Sequence, residues 1–180
     1  HSTSRRQRQM CIRDRSNTAL CFVLCGLALL SRGAVSQRIF SGSVVALSVL
    51  VWSQDLFAVD WHIDNMLFDN WLQDPNPFPG RMAPQTALCF ILCGCVVLLL
   101  SGTLHSWSSV VAQVLILCVG ATGIVSLVGY SLRLELLYDW YRYTRMAVHT
   151  AGAFTLLAVA LWVAWYRRNA VARNYNEHED

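Results

Sequence analysis

The sequence predicts an all-α, polytopic transmembrane helix bundle of about five spans, built from tandem helix hairpins in parallel repeat. Hydrophobic residues make up 55% of the 180 residues and charged residues only 14%, well below the roughly 25% charged residues of a soluble domain. Four apolar segments reach the roughly 20 residues that cross the ~30 Å hydrocarbon core of a bilayer, and a fifth is shorter. One motif also opens three of these runs, which indicates one structural unit used repeatedly.

The first fifteen residues look foreign to the rest of the chain. They hold five of the arginines, and the stretch Arg5–Arg15 resembles translated adapter sequence, which is excluded from fold reasoning. Leaving out residues 1–15 removes five Arg and one Asp, so the formal net charge changes from +3 to about −1. The apparent basicity therefore predicts no nucleic-acid partner, and we expect a fragment that lacks its native N-terminus.

The repeated motif is Thr-Ala-x-x-Phe, and each copy opens an apolar run. Its copies are Thr18–Phe22, Thr86–Phe90 and Thr150–Phe154. Counting motif-bearing and connecting spans together, the predicted spans are about 17–31, 39–58, 82–101, 108–129 and 146–166. Residues 16–168 thus form one predicted transmembrane domain, and residues 169–180 form a polar cytoplasmic tail that we expect to be truncated.

The first span is short, because Thr18–Leu30 is only about 20 Å long at 1.5 Å per residue. Arginines before it and Gly33–Ser36 after it imitate a secretory signal peptide. The repeat argues against that alternative, because Thr-Ala-Leu-Cys-Phe recurs at Thr86, in the middle of the chain. We therefore interpret the segment as a transmembrane helix.

Orientation follows from the arginines. A cytoplasmic C-terminus places five of them inside and four outside, in the direction of the positive-inside rule. The inside set is Arg32, Arg38, Arg167, Arg168 and Arg173, and the outside set is Arg81, Arg133, Arg142 and Arg145. Every motif-bearing span then runs from outside to inside, and residue 17 lies outside. A sixth span before residue 17 would restore a cytoplasmic start, which also indicates a missing N-terminal helix.

Three stretches of the chain carry a resemblance to a known family. The segment Pro79–Phe90 and the segment Arg145–Ala151, with Asp55–Asp64 before them, resemble the N-terminal multi-helix membrane region of bacterial sensor histidine kinases and diguanylate cyclases. The likeness covers roughly residues 17–168. The sequence departs from that family at Gln85, where Asn is usual, and no PAS, kinase or cyclase segment follows Arg168.

The resemblance implies a signal-input module in the bacterial inner membrane. Such a module regulates a cytoplasmic kinase or cyclase in the same polypeptide, and it implies a homodimer formed through membrane helices. Arg167 and Arg168 would carry the signal out of the membrane. Any enzymatic activity would reside in a C-terminal domain absent from this chain, so the chain itself is not predicted to be an enzyme.

The repeats align Asn17, Gln85 and His149 at one position, each directly before a motif threonine (Thr18, Thr86 and Thr150). One interpretation is a ligand-binding or proton-sensing layer in which His149 is the titratable member. The other is helix-start chemistry, in which Pro84 suits the first turn and polar side chains satisfy free N–H groups. The residues favour helix-start chemistry, and both interpretations remain open.

Asp55 follows Gln54 at the end of the second span. An ionisable residue within a bilayer is a functional hypothesis by default, but this carboxylate is predicted near the outer surface, where an interfacial role is favoured. Arg133 and Glu135 occupy the comparable exit of the fourth span, where an ion pair between them is an alternative interpretation.

No cofactor or metal is predicted. His62, His105 and His149 raise the question of haem, but only His62 and His149 share a predicted side of the membrane. The pairs Cys21/Cys25 and Cys89/Cys93 each share one helical face, where packing among small residues is favoured over metal binding. The residues expected to let helices approach closely are Gly26, Ala28, Gly94, Gly120 and Gly123.

The leading functional prediction is therefore a membrane-embedded sensor. One alternative is a small transporter or carrier, since repeats often frame a site at the membrane midplane; the spans lack midplane charges and broken helices. Another is a structural membrane subunit that binds lipid or pigment. The sequence shows no nucleophile–base constellation, phosphate loop or nucleic-acid motif.

Overall fold

The computed structural model describes residues 16–57, 82–102, 106–132 and 146–176, and every regular element within these ranges is an α-helix. The five helices are α1 (Ser16–Leu30), α2 (Ala34–Phe57), α3 (Pro84–Leu100), α4 (Ser106–Leu132) and α5 (Val148–Asn176). The predicted all-α fold is confirmed. The predicted connection over 59–81 lies outside the described residues, as does the leader over 1–15. Of the connection predicted over 130–145, residues 130–132 belong to α4, and the remainder, including Arg133 and Glu135, lies outside the described residues.

Three of the helices are long and apolar enough to cross a membrane, namely the segments Ala34–Gln54, Trp107–Leu132 and Val148–Ala170. The apolar parts of α1 and α3, Asn17–Leu30 and Pro84–Leu100, are shorter. Large apolar side chains face outwards, for example Leu117, which is 56% exposed, and Val110, which is 53% exposed. A lipid-facing surface explains such exposure, because helices satisfy their own backbone groups and can present apolar side chains to hydrocarbon. These features support a transmembrane protein.

Contacts at the helix ends fix the relative directions of the helices. The Arg38 guanidinium near the start of α2 donates to the Ser101 hydroxyl (3.3 Å) and carbonyl (3.4 Å) at the end of α3, so these two helices are antiparallel. The Gln85 amide at the start of α3 contacts Ser126 Oγ late in α4 (3.5 Å). Trp165 late in α5 donates to Ser109 early in α4. Therefore α3 and α5 run in the same direction, opposite to α2 and α4.

Small residues let the neighbouring antiparallel helices approach closely. A Cβ added at Gly94 of α3 would lie 2.5 Å from Val45 Cγ2 and 3.1 Å from the Ser41 carbonyl oxygen of α2. A Cβ added at Gly123 of α4 would lie 2.6 Å from Thr155 Oγ1 of α5. Close backbone approach at glycine increases van der Waals contact, which matters most where lipid removes the hydrophobic drive for helix association.

The three motif phenylalanines meet in the interior. The ring centroids of Phe22, Phe90 and Phe154 are 4.7 to 4.9 Å apart in all three pairs, with tilted or edge-on geometry. These distances lie in the favourable range for aromatic pairs. The first, third and fifth helices are thereby joined around one aromatic cluster, while α2 packs on α1 and α3, and α4 packs on α3 and α5.

Candidate functional site

A layer of buried hydroxyl groups lies one helical turn from the aromatic cluster. The motif threonines Thr18, Thr86 and Thr150 are 3%, 1% and 1% exposed. Each stands four residues before a motif phenylalanine, and residues four apart share one helix face. Only residues 31–33 connect α1 to α2, and the two helices pack on each other, so α1 is antiparallel to α2 and runs in the same direction as α3 and α5. Because the three rings touch, the three threonines therefore face the same interior region, at the end of the bundle where these helices begin. We call this region the threonine layer.

Two hydroxyls of the threonine layer have no hydrogen-bond partner among the described residues. They are Thr86 Oγ1 and Thr150 Oγ1, both in side chains almost completely buried. A buried polar atom left unpaired costs about 1–3 kcal/mol, and native proteins contain few of them. The threonine layer is therefore polar and contains hydroxyl groups free to hydrogen-bond, as a site for a small hydrogen-bonding ligand would.

Gln54, near the end of α2, adds a third buried polar side chain without a partner in the described part of the chain. It is 0% exposed, and both its amide oxygen and its amide nitrogen lack hydrogen bonds. Since α2 runs antiparallel to α3, Gln54 lies at the end of α2 that accompanies the start of α3. This amide can both donate and accept hydrogen bonds, which complements hydroxyl groups in binding a polar molecule.

A chain of contacts links three helices at the same end. The Gln85 amide contacts Ser126 Oγ at 3.5 Å, and the Ser126 hydroxyl contacts Met146 Sδ at 3.9 Å. The Tyr130 hydroxyl donates to the Met146 carbonyl oxygen, just before α5 begins. Met146 is 1% exposed. The beginnings of α3 and α5 are thus tied to the end of α4 around the threonine layer.

The aligned residues before the motif threonines occupy less buried positions. Asn17 and Gln85 are half-buried, and His149 is exposed. One residue turns a helix by about 100°, so the side chains at these positions point away from the face that carries the threonines. Of the predicted sensing residues, the structure brings Thr86 and Thr150 into the interior together with Thr18. Asp55 lies within α2, but its side chain is outside the described residues.

The start of α3 shows how its first turn is capped. The preceding residue, Ala83, is extended and makes no side-chain cap hydrogen bond, while Pro84 stands in the first turn. The Ala83 carbonyl accepts from the Ala87 N–H at 3.0 Å, and the Ala147 carbonyl accepts from the Ala151 N–H at 3.0 Å. Proline at this position suits a helix start because its missing N–H would be unsatisfied there in any case.

The opposite end of the bundle holds a polar network that the sequence alone did not reveal. The Trp165 indole N–H contacts the Ser109 carbonyl and hydroxyl oxygens at 3.1 and 3.0 Å. The Ser109 hydroxyl donates to Asn169 Oδ1 at 3.0 Å, and Asn169 Nδ2 donates to the Trp165 carbonyl at 3.1 Å. We call Ser109, Trp165 and Asn169 the exit network. Arg167, which is exposed, and Arg168, which is half-buried, lie between its members on α5.

Cysteines contribute to packing among the described residues. Cys21, Cys25, Cys89 and Cys93 are buried free thiols, Cys95 is half-buried and Cys118 is exposed. Within the described ranges, no group of three or more His, Cys, Asp or Glu side chains is arranged to hold a metal ion. His62 and His105, considered above for haem, lie outside the described residues.

Comparison with known proteins leaves the chain without an assigned relative. No model of a known protein family matches it, and neither a curated protein nor a solved structure matches it.

Proposed function

We propose that this chain is a membrane-embedded signal-input module, made of about five spans in tandem helix hairpins. In this proposal the threonine layer receives a small polar ligand or responds to the state of the membrane. The change reaches an output domain of the same polypeptide, a histidine kinase or diguanylate cyclase, at a cytoplasmic C-terminus in a bacterial inner membrane. A homodimer formed through membrane helices is part of the proposal, as in the family that the sequence resembles.

The observation that carries the proposal is the continuity of α5. This helix is 29 residues long, with Thr150 of the threonine layer in its first turn and with Trp165 and Asn169 of the exit network in its second half. At 1.5 Å per residue it measures roughly 44 Å, longer than the ~30 Å hydrocarbon core. A continuous helix that starts in the threonine layer and is longer than the hydrocarbon core can transmit a small displacement from one side of the membrane to the other.

The two ends of α5 also make different kinds of contact with α4. At the threonine layer, α4 reaches the start of α5 through Tyr130 and Ser126, which contact Met146. At the other end, Ser109 of α4 holds Trp165 and Asn169. A shift of α5 against α4 therefore exchanges polar contacts at both ends, as a switch between two helix arrangements requires.

The aromatic cluster argues against the carrier alternative. Below the threonine layer, the rings of Phe22, Phe90 and Phe154 occupy the interior at centroid separations under 5 Å. Passage of a solute between the three helices would require all three rings to separate. Binding at the threonine layer without passage is consistent with a sensor.

The proposal is tested by watching the exit network while the threonine layer is changed. The protein is labelled with 5-fluorotryptophan in lipid nanodiscs, and the Trp165 fluorine resonance is assigned with Trp165→Phe. We expect two Trp165 populations, because signalling requires two arrangements separated by a few kcal/mol. Thr150→Val should change their ratio about fivefold for each ~1 kcal/mol by which the substitution favours one arrangement.

Ser43→Ala is the control, because the Ser43 hydroxyl donates, in an exposed hydrogen bond, to the Ile39 carbonyl of its own helix (2.9 Å). It should leave the ratio unchanged. A single Trp165 resonance that neither Thr86→Val nor Thr150→Val alters would refute the proposed coupling. In the full-length receptor, His149→Ala then tests the residue before the motif: an altered output response would place His149 in the sensing path as well.

A further inference from the structure

The groove between α1 and α5 has two apolar walls on which none of the described helices is seated. The first wall is one face of α1, formed by Ala19, Val23, Gly26 and Leu30 at alternating spacings of four and three. Val23 is 57% and Leu30 80% exposed. A Cβ placed at Gly26 would meet no other described atom within 4 Å.

The corresponding face of α3 is covered by a neighbouring helix. At the same distances from the motif threonine, its residues are Ala87, Ile91, Gly94 and Leu98. These are the same amino acids as on the α1 face, except that Ile replaces Val. Ala87 is 0% exposed, and Gly94 lies against the α2 backbone. Two nearly identical faces thus differ in one respect, since only the one on α3 has a helix seated on it.

The corresponding face of α5 is covered in the same way. It begins with Ala151, Thr155 and Ala158, of which Ala151 is 0% and Ala158 5% exposed. Gly123 and Gly120 of α4 lie against this face, Gly120 with its added Cβ 3.4 Å from Ala158 Cβ. The helix seated on α5 is the one that precedes it in the chain, as α2 precedes α3.

The second wall of the groove, on α5, shows the same contrast. Ala160 is exposed, whereas the equivalent residues of the other two motif helices, Ala28 and Val96, are both 0% exposed. Leu156 is 73% exposed, whereas Leu24 and Leu92 are half-buried. No described helix is therefore seated on either wall of this groove, while α2 fills the groove between α1 and α3, and α4 fills that between α3 and α5.

We propose that the groove between α1 and α5 is the seat of a sixth membrane-spanning helix, which precedes α1 in the natural polypeptide and runs antiparallel to it. The proposal rests on the hairpin repeat described under the proposed function, but not on signalling. The expected helix is apolar, with Ser or Gly facing Gly26, because Ser41 of α2 lies beside the equivalent Gly94, and Gly120 of α4 lies beside the equivalent Ala158. Its position in the chain follows from the order within each hairpin, where the covering helix comes directly before the motif helix.

Photocrosslinking in the natural full-length polypeptide tests both the seat and its occupant. The crosslinker p-benzoylphenylalanine replaces Val23 on one wall or Ala160 on the other, in membranes of the native lipid composition. We expect both positions to crosslink to one apolar segment on the N-terminal side of Ser16, as mapped by mass spectrometry. The control position is Leu117, 56% exposed on α4, which should yield no such product. Crosslinks to a second copy, to another protein or to lipid alone would overturn the proposal.

A pair of glycine substitutions provides a test that does not depend on crosslinking. Gly26 and Gly42 both have open space around an added Cβ among the described residues. With a helix seated in the groove, Gly26→Leu overpacks the interface and should lower the melting temperature of the full-length protein by at least about 3 °C. Gly42→Leu should leave it unchanged. Equal melting temperatures for the two variants would overturn the seat, whatever the outcome of the fluorine experiment on signalling.

Discussion

Replacing the unpaired hydroxyls of the threonine layer should stabilise the protein. Valine has nearly the shape of threonine, with a methyl group in place of the hydroxyl. Thr86 Oγ1 and Thr150 Oγ1 are buried without hydrogen-bond partners in the described part of the chain. Because an unpaired buried polar group costs about 1–3 kcal/mol, Thr150→Val should raise the free energy of unfolding by an amount in that range. For a chain of this size that corresponds to about 2–4 °C in melting temperature per kcal/mol.

The assay is reversible unfolding of the purified protein in mixed detergent micelles, followed by circular dichroism. Thr155→Val is the matched control, since it makes the same chemical change five residues further along α5. The Thr155 hydroxyl donates to the Ala151 carbonyl at 2.9 Å and lies beside Gly123. This variant loses a made hydrogen bond and should be destabilised by about 1 kcal/mol. The two valine substitutions should therefore have opposite signs.

A destabilised Thr150→Val protein would refute this reasoning. It would mean that the hydroxyl makes a favourable interaction in the purified protein, so that it is not an unsatisfied group. Equal effects at Thr150 and Thr155 would have the same consequence, because the argument depends on their different hydrogen bonding. A ligand that restores the wild-type advantage over Thr150→Val would in turn identify the occupant of the layer.

Three further predictions concern packing and the exit network. Phe90→Ala should lower the free energy of unfolding by about 3–5 kcal/mol, because its ring is 0% exposed and contacts two others; detergent unfolding measures this, and a loss below ~1 kcal/mol would contradict the aromatic cluster. Gly94→Leu should abolish stable folding or cost at least about 1–3 kcal/mol, since the α2 backbone lies beside it; wild-type levels in membranes would contradict the close approach. Ser109→Ala should cost about 1 kcal/mol and speed exchange of the Trp165 indole proton, seen by NMR; unchanged exchange would mean that the hydroxyl does not hold this ring.

Helix existence was predictable from the sequence because apolar composition dominates it, whereas helix bounds were not. The connection expected between the first two spans is shorter than predicted: α2 begins at Ala34, and the Gln37 amide donates to the Ser31 carbonyl at 2.9 Å. The last helix continues to Asn176, beyond the expected span end at 166. The hydropathy of the sequence predicts where the lipid-embedded segment ends. The helix continues beyond that residue because its backbone hydrogen bonds form in water as well as in lipid.

The candidate site was only partly predictable, because alignment of repeats identifies equivalent positions without saying which of them face inwards. A shift of one residue, from His149 to Thr150, moves a side chain from the exposed to the buried face. The spacing of four between threonine and phenylalanine in the motif contained this information, since both must share a face. No local pattern links Trp165 to Ser109, which are 56 residues apart; that contact depends on how α4 and α5 pack.

The aromatic cluster has a consequence for the order of events in biogenesis. Phe22 and Phe154 are 132 positions apart in the chain. Phe22 therefore cannot contact Phe154 until α5 has been synthesised. At the usual rate of about 5–20 residues per second, that delay is roughly 7–26 s. During this time the earlier helices rely on pairwise contacts between neighbours, such as α2 against Gly94. Truncation of the nascent chain before α5 would leave Phe22 and Phe90 in contact only with each other within the aromatic cluster.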